Sequence, residues 1–121
     1  MVQLPYHYGK VRILDIDGTV LKLRVLGDYF EKEAEAYTDS VEIVNEWFKN
    51  GDFIIFWTAR PECYRELTTH QLDNLGFLYH RLMMDKPTAD GGIYWYDDAD
   101  IRAFKVDNTT GLVSMGELVD Y

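Results

Sequence analysis

The sequence predicts an α/β domain: a three-layer, Rossmann-like fold with a mainly parallel central sheet. Three observations carry this. Short apolar runs, VRIL, FIIFW and GIYWY among them, alternate with segments of helical periodicity, and strands that read as continuous apolar runs belong to parallel sheets covered by helices. Each run leads into a residue able to do chemistry. The chain of 121 residues is 47% hydrophobic and 15% aromatic, which supports one buried core and one domain, residues 1–121.

Taken in order, residues 11–15 form the first predicted strand, interrupted only by Arg12. Residues 20–26, VLKLRVL, alternate apolar and basic as a half-exposed strand does, and Gly27 with Asp28 marks a turn. The charged FEKEAEAY reads equally as loop or helical turn. Thr38, Asp39 and Ser40 are good N-caps, and Glu42 is spaced for a capping box with Asp39. Behind them Val41, Val44, Trp47 and Phe48 share one helical face, and Asn50 with Gly51 supplies the stop. Phe53 to Trp57 then read as a fully buried strand ending at Thr58. Pro61 suits the first turn of a second helix that runs to about Leu75, with Gly76 past its end. FLYHRLMMD gives a further strand and GIYWYDD a last buried one. The C-terminal FKVDNTTGLVSMGELVDY predicts a short strand and a closing helix, or equally a dimer contact.

Charge narrows the function. Asp and Glu number 21 against 12 Lys and Arg, a formal net charge of -9. A general nucleic-acid binder needs a basic surface to displace counterions, so nucleic acid is disfavoured as a partner. The one cysteine, Cys63, excludes an intrachain disulfide and a thiolate zinc cluster. No run approaches the length of a membrane span, and the N-terminus lacks the apolar core of a signal peptide. The expectation is a cytoplasmic protein with no membrane partner.

In open α/β sheets, ligands bind beyond the carboxyl ends of the strands. Asp15 ends the first strand with Asp17 close behind, Thr58 ends the next buried one, Lys86 follows another, and Asp97 with Asp98 ends the last. The fold would gather these residues at one sheet edge. Clustered carboxylates are unfavourable without a cation, and an all-oxygen donor set suits a hard ion such as Mg²⁺. His7, His70 and His80 stand apart in sequence and read as surface or packing residues. A Mg²⁺ beside a Lys and a Thr forms a receptor for a phosphoryl group, whose charge must be neutralised in the transition state.

The order DIDGT, an apolar strand ending in Thr, then Lys, then an apolar strand ending in DD resembles the haloacid dehalogenase superfamily of phosphatases. The match runs from about Lys10 to Ile101, and TAR, KP and YDDADI are most similar to small phosphatases of capsule and surface-polysaccharide biosynthesis. The resemblance implies that Asp15 is the nucleophile that becomes an aspartyl-phosphate. It makes Asp17 the acid that protonates the leaving alcohol and then the base that activates water. Thr58 would bond the phosphoryl oxygens and Lys86 would offset negative charge. Mg²⁺ would be held by Asp15, by the backbone carbonyl of Asp17 and by an acid of the last motif. Asp98 is favoured for that place, with Asp97 as a neighbouring or water-mediated ligand and Asp100 a weaker candidate.

The spans after Thr19 and after Thr58 are too short for a cap domain, so the resemblance implies a capless member with a small flap, Val20 to Leu26. An open site also admits large substrates such as a phosphorylated sugar, a glycan or a polynucleotide end, and leaves water exclusion to the flap, the substrate or a second subunit. The first choice of substrate is a sugar phosphate or similar metabolite. A homo-oligomer therefore stays open. Arg60 reads equally as a substrate contact or a surface residue, and Tyr94, Trp95 and Tyr96 as sheet core, with Tyr96 also able to shape the pocket. Two alternatives stand beside the metabolite phosphatase: a phosphatase of nucleic-acid ends, and a catalytically silent binding module.

Overall fold

The computed structural model describes residues 7–25 and 33–113. Among these residues the sheet has three strands, β1 (Val11–Leu14), β2 (Phe53–Trp57) and β3 (Arg81–Met83), in the order β1-β2-β3. Both pairings are parallel, with Leu14 opposite Phe56 and Trp57 opposite Met83. Parallel neighbours need a crossover connection. Helix α1 (Ser40–Lys49) lies between β1 and β2 in the chain, and α2 (Arg65–Leu75) between β2 and β3. The predicted α/β class is the observed one: an open parallel sheet with two helices, compatible with a Rossmann-like fold.

Strand alternation decides where the core lies. Leu14, Ile54 and Phe56 point to one face and are buried with Val44 of α1 and Leu72 of α2. Val11, Ile13 and Met83 are exposed. Fully burying a side chain such as Phe56 is worth about 1.5–3 kcal/mol, and its ring also meets Phe77 and Tyr79 edge-on at 5.6 and 5.4 Å. The carboxyl ends of β1 and β2 thus rest on this buried core.

Both helices start and stop near their predicted positions, with differences in detail. Asp39 occupies the N-cap of α1 at φ 66, but its side chain makes no capping bond. The capping box with Glu42 is therefore not built, because a left-handed N-cap does not have the extended backbone that the box requires. The helix after Pro61 opens as a 3-10 turn (Glu62–Tyr64) before α2 begins, and Gly76 closes it as a left-handed C-cap. Strand β3 is much shorter than FLYHRLMMD, because Phe77 is still bonded to Leu72 in the helix exit.

The alternating stretch after the DGT loop is not a long strand within its described residues. Leu21 bridges Ala36 in antiparallel fashion, and the backbone bonds Lys22 N–H to Glu35 O and Tyr37 N–H to Val20 O hold the two arms together. This is the base of a hairpin-like flap. Leu26, Gly27, Asp28 and the first three residues of FEKEAEAY fall outside the described residues, as do Ser114 to Tyr121, where the closing helix is expected.

The larger departure concerns GIYWYDD. Residues 92–97 form no strand, and Tyr96 is 89% exposed. Gly92 turns at φ 89 just ahead of the run. The Asp97 carboxylate accepts from Ala99 N–H at 3.1 Å and from Trp95 Nε1–H at 3.4 Å, bonds that lower its pKa. Local turn chemistry of this kind competes with strand pairing.

One histidine makes the sheet sensitive to acid. Ile54 N–H donates to His80 Nδ1 at 3.0 Å, and the ring stacks on Phe53 and Phe48 at 4.4 and 4.6 Å. Burial, helped by the Arg81 charge, pushes the His80 pKa down. The unfolded chain then binds the extra proton more readily, so stability is lost as pH falls below about 6.5. Melting temperatures between pH 7.5 and 5.5 are expected to fall for the wild type and to fall less for His80→Asn, whose amide oxygen can accept the same bond without titrating.

Candidate active site

The sequence places Asp15 one residue beyond β1, and the following turn is held by a single carbonyl. Ile16 O accepts from Thr19, Val20 and Leu21 N–H at 3.0–3.1 Å, and Gly18 N–H donates to Leu21 O at 2.8 Å. Gly18 takes φ 88, and a Cβ there would lie 3.3 Å from that of Asn108. Glycine is what lets this loop turn so tightly. The loop is clamped from the C-terminal side: Leu112 N–H donates to Thr19 O at 3.1 Å, and the Tyr37 hydroxyl donates to Asn108 O. Gly111, at φ 73, passes so close beneath Tyr37 that a Cβ would stand 2.5 Å from the ring.

The edges of β2 and β3 are laced together at the same end. Thr58 N–H donates to Met83 O, Lys86 N–H to Thr58 O and Asp85 N–H to Arg60 O, each at 2.9 Å. This lacing carries Lys86 to the first strand's carboxylate, where Nζ donates to Asp15 Oδ1 at 2.9 Å. Thr58 is 1% exposed, and its hydroxyl accepts from Arg60 N–H at 3.1 Å.

Arg60 belongs to the centre of the site and not to the surface. Its Nε and Nη2 donate to the two oxygens of Asp17, both at 2.9 Å. The Arg60 side chain is 5% exposed and that of Asp17 19%. Such bidentate, charge-assisted pairs combine strength with fixed geometry. Asp15 and Asp17 therefore tolerate each other because the chain supplies one cation to each: Lys86 and Arg60. Sequence reasoning left Arg60 undecided. The usable signal lay on α2, where the polar Thr68 and Gln71 share the buried face with Leu72; buried polar side chains require a partner.

Asp15, Asp17, Thr58 and Lys86 are thus brought to one sheet edge. Asp97 and Asp98 lie on the exposed, strandless segment, and Asp100 follows on it. Among the described residues no group of three or more His, Cys, Asp or Glu is gathered as a metal site.

The fold, with the family match over most of the chain, is that of an α/β domain of the HAD-like, phosphatase-related kind. More specifically, the chain belongs to the LNS2 domain family: the family model described as PITM 1-3, LNS2 domain matches residues 12–115. It is also 32% identical over 85 residues to the outer membrane protein assembly factor BamC of Psychromonas ingrahamii, a match covering 68% of this chain and 21% of that protein. The chain thus spans about a fifth of the length of this curated relative. Among solved structures it is similar to a chain of the Pnkp1/Rnl/Hen1 RNA repair complex, with TM-score 0.56 and 24% identity over 74% of this chain and 29% of that one. A Vibrio cholerae crystal structure matches with TM-score 0.54 and 22% identity, covering 77% of this chain and 83% of the other. These structural likenesses concern the fold. No helix among the described residues is long and apolar enough to cross a membrane.

Proposed function

We propose that the chain is a capless, Mg²⁺-dependent phosphomonoesterase acting on a small phosphorylated metabolite such as a sugar phosphate. The observation that carries this reading is the Lys86–Asp15 bond of 2.9 Å at the carboxyl edge of the sheet. It joins a nucleophile to the cation that would share a phosphoryl group with it. Asp15 attacks phosphorus through a carboxylate oxygen, and the bond to the leaving oxygen breaks as Asp17 supplies a proton. Asp17 then takes a proton from water, whose oxygen displaces the Asp15 carboxylate and releases phosphate. Lys86 and the Thr58 hydroxyl stabilise the phosphoryl oxygens in both steps.

The donor chemistry suits Mg²⁺, which takes one or two carboxylates, substrate phosphate and several waters rather than a full protein cage. Asp15 and the Asp17 carbonyl would hold the ion, and the resemblance adds Asp98 as a further carboxylate, with Asp97 as a neighbouring or water-mediated ligand. Bound there, it would neutralise developing phosphoryl charge.

A second reading, removal of phosphate from nucleic-acid ends, has one observation in its favour. Tyr94, Trp95 and Tyr96 are exposed, and exposed aromatics can stack on bases. The net charge of -9 opposes it. Phosphate release from a panel of sugar phosphates, other metabolites and 3′- and 5′-phosphorylated oligonucleotides, with Mg²⁺ or chelator, tests all readings. The expected result is Mg²⁺-dependent release from metabolites. Release from oligonucleotides alone would install the second reading, and no release from any ester would leave a catalytically silent binding module.

A further inference from the structure

We propose that Arg60 is the positioning residue of this site, holding Asp17 in the orientation from which it exchanges a proton with the leaving group. The inference rests on the phosphatase reading and adds to it a residue and a structural element. Asp17 occupies only one side of the guanidinium. On the other, Nη1 donates to Thr68 Oγ1 at 3.0 Å and to Gln71 Oε1 at 2.7 Å. Thr68 and Gln71 are both buried on α2. Arg60 is further tied through its own backbone, N–H to Thr58 Oγ1 and carbonyl to Asp85 N–H. The Asp17 carboxyl is consequently fixed against helix α2 through a planar fork with little freedom.

Three points favour positioning over mere stability. A buried ion pair is weak as a stabilising device, because well-packed apolar residues often do as well or better. Here two further polar side chains are buried to hold the guanidinium. The fork also leaves Asp17 room to meet a leaving group: it uses one lone pair on each oxygen, and a second on each remains. Finally, the carboxyl that must move a proton is the one the network holds, while the Asp15 carboxylate is left to Lys86.

The leaving group provides a readout that a structural role does not move. A p-nitrophenolate departs without a proton, whereas a benzyl alkoxide needs one from Asp17. The experiment is kcat/KM for p-nitrophenyl phosphate and benzyl phosphate in wild type, Arg60→Lys and Gln71→Met, with folding checked by thermal melting. Lysine offers a point charge in place of the fork. Arg60→Lys is expected to lose roughly a hundredfold on benzyl phosphate, the scale of a misplaced catalytic group, and about tenfold or less on p-nitrophenyl phosphate. Gln71→Met, which keeps the Asp17 pair but loosens its support, should show the same inequality on a smaller scale and serves if Arg60→Lys does not fold. Equal losses on both esters in a folded variant overturn the positioning role. A wild type that cleaves neither ester overturns the phosphatase reading, and this inference with it.

Discussion

Asp15→Asn is expected to stop phosphate release almost completely, by roughly 10⁴-fold or more, as loss of a covalent nucleophile does. The substitution changes shape very little, so the loss would report chemistry rather than packing. An amide nitrogen or oxygen cannot form the acyl-phosphate, and the charge opposite Lys86 disappears at the same time. The stability cost should stay near 1 kcal/mol, because the Asp15 side chain is 39% exposed and solvent screens a pair so placed. The two readouts therefore separate: activity collapses while the melting transition moves little. Phosphate release by the variant, checked with intact-mass detection of the phosphorylated wild type, decides the matter. Retention of a tenth or more of the wild-type rate would remove Asp15 from the role of nucleophile.

How far the sequence could be read depended on whether a residue's neighbours were local or distant. VRIL and FIIFW announced their strands as apolar runs, although burial alternates along both where full burial of FIIFW was expected. Helix α1 followed from helical spacing closed by Asn50, and α2 from Pro61 ahead of it and Gly76 behind it. The meeting of Asp15, Thr58 and Lys86 was legible from topology alone, since parallel strands deliver their carboxyl ends to one edge. Arg60 was not, because its value comes from Asp17, 43 residues earlier, and from Thr68 and Gln71 on a helix face that periodicity would fill with apolar side chains. GIYWYDD shows the opposite failure. Its composition favours a strand, yet a strand forms only where an edge receives it, and here Gly92 and the Asp97 turn direct the chain elsewhere. The tight passage of Gly111 under Tyr37 left no trace in the sequence beyond one glycine among nine.

Phe56→Ala is expected to cost about 3–5 kcal/mol, the range for removing a buried aromatic from a close-packed core. Phe56 is completely buried. It pairs in register with Leu14 on one side and Leu82 on the other, and its ring touches Phe77 and Tyr79. No single neighbour could close the cavity, because those contacts come from two strands and the helix exit. The position also links stability to function. Leu14 immediately precedes Asp15, Phe56 stands two residues before Thr58, and Leu82 lies on the strand that leads to Lys86. Loosening this layer should therefore disturb the relative placement of the nucleophile, the hydroxyl and the ammonium before the chain unfolds. Below its melting transition, Phe56→Ala should lose kcat more than it raises KM. Chemical denaturation gives the first quantity and steady-state kinetics the second. A loss under 1 kcal/mol, or full activity in a clearly destabilised variant, would show that the site does not depend on the core beneath it.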